Sequence, residues 1–149
     1  MPQGSGTNRR GGVLRRHVEY PGLSISAQAD IAANLIDHSD YLTSEWWTDA
    51  DLREVLVDLT EPIKVWISER PIAPLLEQVA SCAVSDLAVK KLQERLAIVG
   101  DLDPVLVDGE RFIDGRHRVE AYRRAGRTTI PTVDIGPLLR TDWDTWMKG

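Results

Sequence analysis

The sequence predicts an α+β protein, a small mixed sheet with helices, preceded by a short helical N-terminal extension. Three observations predict it. A helix-period segment with stop signals at both ends occupies residues 85–100, and an Asp-Gly pair divides two short apolar runs at 105–113. A glycine-centred turn at 114–118 then converts the second run into another helix. A length of 149 residues favours one domain, and 42% apolar against 28% charged residues places the chain with folded rather than disordered proteins.

Residues 1–22 contain five glycines, two prolines and no apolar periodicity, which reads as a disordered basic lead. The domain is therefore expected at 23–149, with the helical extension at 23–61 and the core at 62–136. Ser26 can cap a helix carrying Ile31, Leu35 and Ile36. Thr48 can cap a second with Leu52, Val55, Leu56 and Leu59 at helical spacing, stopped by Pro62. The β-branched content of 63–67 favours a strand, and Pro71 and Pro74 impose a bend that leaves 75–80 room for one short helical turn bearing Glu77.

Ser85 is a fitting N-cap, and Asp86 suits the positive end of the helix dipole. Leu87, Leu92, Leu96 and Val99 are expected on the buried face before Gly100 ends the helix. Asp108-Gly109 between 105–107 and 111–113 signals an antiparallel hairpin. After the turn, 116–125 reads as a helix with Val119, Tyr122 and Ala125 inward and Gly126 closing it. The segment 130–135 reads as a strand whose Pro131, lacking a donor, belongs at or near a sheet edge. Trp143 and Trp146, three apart, suit a terminal turn packed on the body.

Charge limits the partners. Four arginines and no acid within 1–16 leave a charge of -9 on the remainder of a chain whose net charge is -5. An acidic body is a poor general binder of DNA, because nonspecific affinity comes from cations that neutralise phosphates. Between 37 and 61, eight acidic residues stand against the single Arg53, with Trp46 and Trp47 among them: a solvated face or a docking surface for a protein partner. No apolar run approaches the roughly 18 residues of a membrane span, and a single cysteine, Cys82, suits a reducing compartment, so a cytoplasmic location is expected. His17, His38 and His117 have no metal-ligand spacing, and no zinc site is expected.

The stretch Asp114-Gly115-Arg116-His117-Arg118 carries the chemistry. It lies between a strand end and a helix start, where unpaired N–H groups and the dipole create an anion site, and Gly115 allows close backbone approach. Cations in a first helical turn are disfavoured by roughly 0.3–1 kcal/mol each, so Arg116, His117 and Arg118 there call for an anion, such as phosphate. The alternative is that these side chains point to solvent or pair with Asp103, Asp108 or Glu110.

The run Asp103-Pro104-Val105-Leu106-Val107, then Phe112-Ile113-Asp114-Gly115-Arg116-His117-Arg118-Val119-Glu120-Ala121, Ala125-Gly126 and Ile130-Pro131 resembles the ParB/sulfiredoxin superfamily over about fifty residues. The position of the sulfiredoxin cysteine is Arg116 here, which argues against sulfinic acid repair. The partition-protein Gly-Glu-Arg-Arg box is replaced by Gly115-Arg116-His117-Arg118. The free serine kinase branch is the most similar, with its Asp-Gly-x-His-Arg box and a glutamate after a proline-containing strand exit, here Pro71-Ile72-Ala73-Pro74-Leu75-Leu76-Glu77.

That resemblance implies a nucleotide-dependent phosphotransferase acting on the hydroxyl of a small serine-like molecule, with ATP, ADP or CTP and Mg2+. Glu77 would take the hydroxyl proton and Asp114 would help hold the metal. Gly115, Arg116, His117 and Arg118 would bind the nucleotide phosphates. A catalytically silent nucleotide-binding switch or partner-recruiting module is the alternative. A ParB-like DNA-associated nuclease is a second, against which the acidic body argues.

Overall fold

The computed structural model describes residues 7–10, 13–39, 49–59, 61 and 63–143. Strands β1 (Thr7–Arg10) and β2 (Val13–Glu19) lead through a 3-10 turn (Tyr20–Gly22) to helices α1 (Ile25–His38) and α2 (Asp49–Val57). Strand β3 (Lys64–Pro71) is followed by α3 (Ala73–Val79) and α4 (Asp86–Val99). The hairpin β4 (Val105–Asp108) and β5 (Arg111–Asp114), helix α5 (Arg116–Arg124), strand β6 (Thr129–Asp134) and a short α6 (Gly136–Leu139) complete the order.

The strands form one mixed sheet in the order β1-β2-β3-β6-β4-β5, so the fold is α+β. All neighbours are antiparallel except β4 and β6, because α5 carries the chain across and returns β6 parallel to β4. Strand alternation sends side chains to two separate cores. Val65, Ile67, Leu106 and Val133 pack with Ile31 and Leu35 of α1, Leu52 and Leu56 of α2, and Trp143. Val105, Val107 and Ile130 pack on the opposite face with Leu75 of α3, Val89 and Leu96 of α4, and Val119 and Tyr122 of α5. Helices expected as an extension thus build one of the two cores.

The N-terminal expectation is corrected most. Val13–Glu19 is not a disordered lead but a strand in register with β3 from Leu14↔Glu69 to Glu19↔Lys64. Tyr20 behind it is fully buried, donating its hydroxyl to the Gln28 carbonyl at 2.7 Å. The arginine-rich stretch has no periodicity of its own to announce this, because its order comes from a partner strand some fifty residues later.

Smaller departures have local causes. Ser24, not Ser26, caps α1, accepting from the Ala27 amide at 3.1 Å, while Ser26 donates to Asp103. On α4 the buried residues are Val89 and Leu96, seven apart and so nearly eclipsed, whereas Leu87 and Val99 are exposed. Leu87 lies nine residues from Leu96, half a turn out of phase at 3.6 residues per turn. Ala125 is likewise exposed.

Strand β6 is interior rather than at an edge. It tolerates Pro131 because pairing with β4 begins only at Val105↔Thr132, so β4 is not yet alongside where the donor is missing. The hairpin turn falls on Gly109-Glu110, with Gly109 at φ +60°, as the first position of a type II′ turn requires. Thr48, Pro62, Trp46, Trp47 and Trp146 lie outside the described residues. Among the described residues no helix is long and apolar enough to cross a membrane.

Candidate functional site

The predicted turn sits at the open edge of the sheet, and local backbone features aim it. Leu106 pairs with Asp114 while Val107 pairs with Phe112, so Ile113 is an extra residue that bulges β5 and reorients Asp114. Gly115 follows at φ +118°, outside the range open to residues with a Cβ. It is also the N-cap of α5, and no side chain caps that end, whereas Ser24 and Ser85 cap α1 and α4. The first-turn amides of this nine-residue helix therefore lack the usual side-chain acceptor.

Each basic residue of the turn has a partner within the protein. Arg116 Nε donates to the Ala83 carbonyl at 2.7 Å. His117 accepts the Ser85 amide at Nε2, 3.0 Å away, which requires a lone pair there and leaves Nδ1 as the ring N–H. Arg118 turns inward: Nη2 meets Asp30 Oδ2 at 2.9 Å and Nη1 donates to the Pro104 carbonyl at 3.1 Å. Its guanidinium lies under Gly115, where a Cβ would come within 3.1 Å of Nη2. Of the partners considered from sequence, Asp103 contributes its backbone neighbourhood, but the ion pair is made by Asp30.

Asp30 and Asn34 of α1 are the site residues that sequence reasoning missed. Asn34 Nδ2 donates to Asp114 Oδ2 at 3.0 Å and to the Asp30 carbonyl at 2.8 Å. Burial pushes the Asp30 carboxyl above its ordinary value; Arg118 pulls it down, and Asp114 and Asp103 add to the rise. Asp103 in turn is bonded by the hydroxyls of Ser24, at 2.7 Å, and Ser26. The one available signal was polar residues spaced four apart beside the buried Ile31 and Leu35, and that spacing names no partner.

The turn residues 114–118 are contiguous, and Glu77 is carried by α3, which packs on β5 and α5. Gln78 anchors α3 to β5, accepting from the Phe112 amide at 2.7 Å and donating to the Glu110 carbonyl at 2.8 Å. Glu77 is exposed and, among the described residues, its carboxylate makes no hydrogen bond or ion pair. The loop after α3 does reach the turn, through Ala83 and Ser85. Among the described residues, no group of three or more His, Cys, Asp or Glu side chains converges as a metal cage.

A cavity of about 750 Å³ lies beside the turn rather than on it, walled by Arg16, Ser24, Glu69, Asp101, Asp103 and Pro104 among others. It shares the Asp103-Pro104 segment with the Arg118 contacts and contains none of residues 114–118. Comparison of the chain with protein-family models, with curated proteins and with solved structures finds no match.

Proposed function

We propose that the chain is a ParB/sulfiredoxin-like module that binds nucleotide phosphate at the 114–118 turn and transfers a phosphoryl group to the hydroxyl of a small serine-like molecule. The observation that supports this reading is the start of α5 at Gly115 without a side-chain cap, beside Asp114 and Arg118. First-turn amides and a helix dipole favour a bound anion, and the missing Cβ of Gly115 lets Arg118 and Val105 pack directly beneath the turn. In the transfer, the hydroxyl oxygen bonds to the terminal phosphorus as the bond to the leaving nucleotide breaks, and the hydroxyl proton passes to Glu77. Asp114, with one oxygen held by Asn34, fits a single-carboxylate role toward Mg2+, an ion that commonly keeps waters and substrate phosphates as its other ligands. When bound, that ion would neutralise phosphate charge.

A second reading is favoured by the solvent-facing Glu77 carboxylate: a nucleotide-binding switch without chemistry. Two measurements separate the readings. A thermal-shift series with ATP, ADP and CTP, with and without Mg2+, should raise the melting temperature for at least one nucleotide. Transfer to serine, threonine and related hydroxy compounds is then followed by product mass, and Glu77→Gln should lower turnover by about 10² to 10⁴ with nucleotide affinity retained. Binding without transfer to any of these would establish the switch, and undiminished turnover in Glu77→Gln would remove Glu77 from the chemistry.

A further inference from the structure

Helix α1 and the 114–118 turn meet through two pairs with matched spacing. Asp30 and Asn34 stand four residues apart on α1, and their partners Arg118 and Asp114 stand four apart across the turn. Residues four apart on a helix lie on one face, so α1 offers both groups to the turn at once. The Asp30 Oδ2 to Arg118 Nη2 contact of 2.9 Å joins a half-buried carboxylate to a guanidinium whose side chain is only 13% exposed. With Nη1 on the Pro104 carbonyl, both terminal nitrogens of Arg118 are engaged by oxygen.

A carboxylate on a guanidinium reproduces the planar contact that a phosphate makes with the same group. The surroundings are unfavourable for keeping a carboxylate there. Asp103 and Asp114 are near enough to Asp30 to push its carboxyl up, while hydroxyls of Ser24 and Ser26 bond Asp103 and the Asn34 amide bonds one oxygen of Asp114. Burial is the largest influence on the Asp30 carboxyl and disfavours its ionised form, Asp114 and Asp103 act the same way, and Arg118 pulls against them. A half-buried ion pair is a weak source of stability, so stability alone accounts poorly for an acid at this position.

We infer that Asp30 is a resident anion, a positioning residue that holds the Arg118 guanidinium ready for a phosphate and yields it when a phosphate-bearing ligand binds. This rests on the reading of the turn as a phosphate site. The ligand and Asp30 compete for one cation, so neutralising Asp30 strengthens phosphate binding, whereas loss of a merely structural contact weakens it or leaves it unchanged. The effect runs through Arg118 and vanishes without it.

The test is calorimetric titration of the full chain with ADP and, separately, with inorganic phosphate, using the parent, Asp30→Asn, Arg118→Gln and the double variant. Asp30→Asn is expected to bind ADP about 10-fold tighter than the parent, within the usual range of coupling between sites. The double variant should bind no tighter than Arg118→Gln alone, and binding by Asp30→Asn but not by the parent also supports the proposal. If the parent binds and Asp30→Asn binds equally or more weakly, the resident anion is overturned while the phosphate reading stands. Absence of binding by all four proteins overturns both. Should Asp30→Asn lose cooperative unfolding, Asp30→Ser is read in the same way.

Discussion

Replacing Gly115 by alanine tests whether the turn has the backbone and contacts described. The residue sits at φ +118°, which strains any side chain by roughly 1–3 kcal/mol. The added methyl would also stand 3.1 Å from Val105 Cγ2 and 3.1 Å from Arg118 Nη2. Neither neighbour moves freely, since Val105 is fully buried and Arg118 is tied to Asp30 and Pro104. Overpacking of this kind adds about 1 kcal/mol or more, so a total of about 2–4 kcal/mol is expected.

For a chain near 150 residues this lowers the melting temperature by about 4–16 °C. Gly126→Ala is the control: φ is +78° but no atom lies within 4 Å of the new methyl, so only about 1 kcal/mol of backbone strain applies. Calorimetry and denaturant unfolding of both variants give the comparison. A Gly115→Ala protein as stable as the parent, or no less stable than Gly126→Ala, would refute the tight packing of Arg118 and Val105 beneath the turn.

Other outcomes follow from the same contacts. Tyr20→Phe removes a buried hydroxyl that donates to the Gln28 carbonyl, and should lower stability by about 1 kcal/mol in denaturant unfolding. Deleting residues 1–22 removes β2 and Tyr20 together, and the drop in melting temperature should exceed about 10 °C; a truncated chain that melts like the parent would show that β2 contributes nothing. Glu120 is held down to about 2, chiefly by the hydrogen bond from Arg123 and further by Arg124, against an ordinary value of 4.5. Its contribution is therefore fully present above about pH 4.5 and fades as the pH falls toward 2. The stability gap between parent and Glu120→Gln should be a few degrees at pH 7, and it should shrink measurably by pH 3.

The sequence by itself determined what depends on neighbours along the chain. Ser85 capping α4, Gly100 ending it at φ +87°, the hairpin about Gly109, the Gly115 turn and the inward Val119 and Tyr122 are set by local chemistry and helical period. That chemistry also marked residues 114–118 as an uncommon place for three basic residues. Only the tertiary structure decided what those residues touch: Arg118 meets Asp30, His117 meets Ser85 and Asp114 meets Asn34, across separations that local pattern does not encode.

Strand β2 was hidden for the same reason, since a strand draws its hydrogen bonds from a distant partner rather than from itself. The place of Pro131 inside the sheet likewise followed from where β4 begins. Helical order is legible from a short window because its bonds close within four residues. Sheet order, and the pairing of a charge with its counter-charge, wait for the folded chain to bring their partners together.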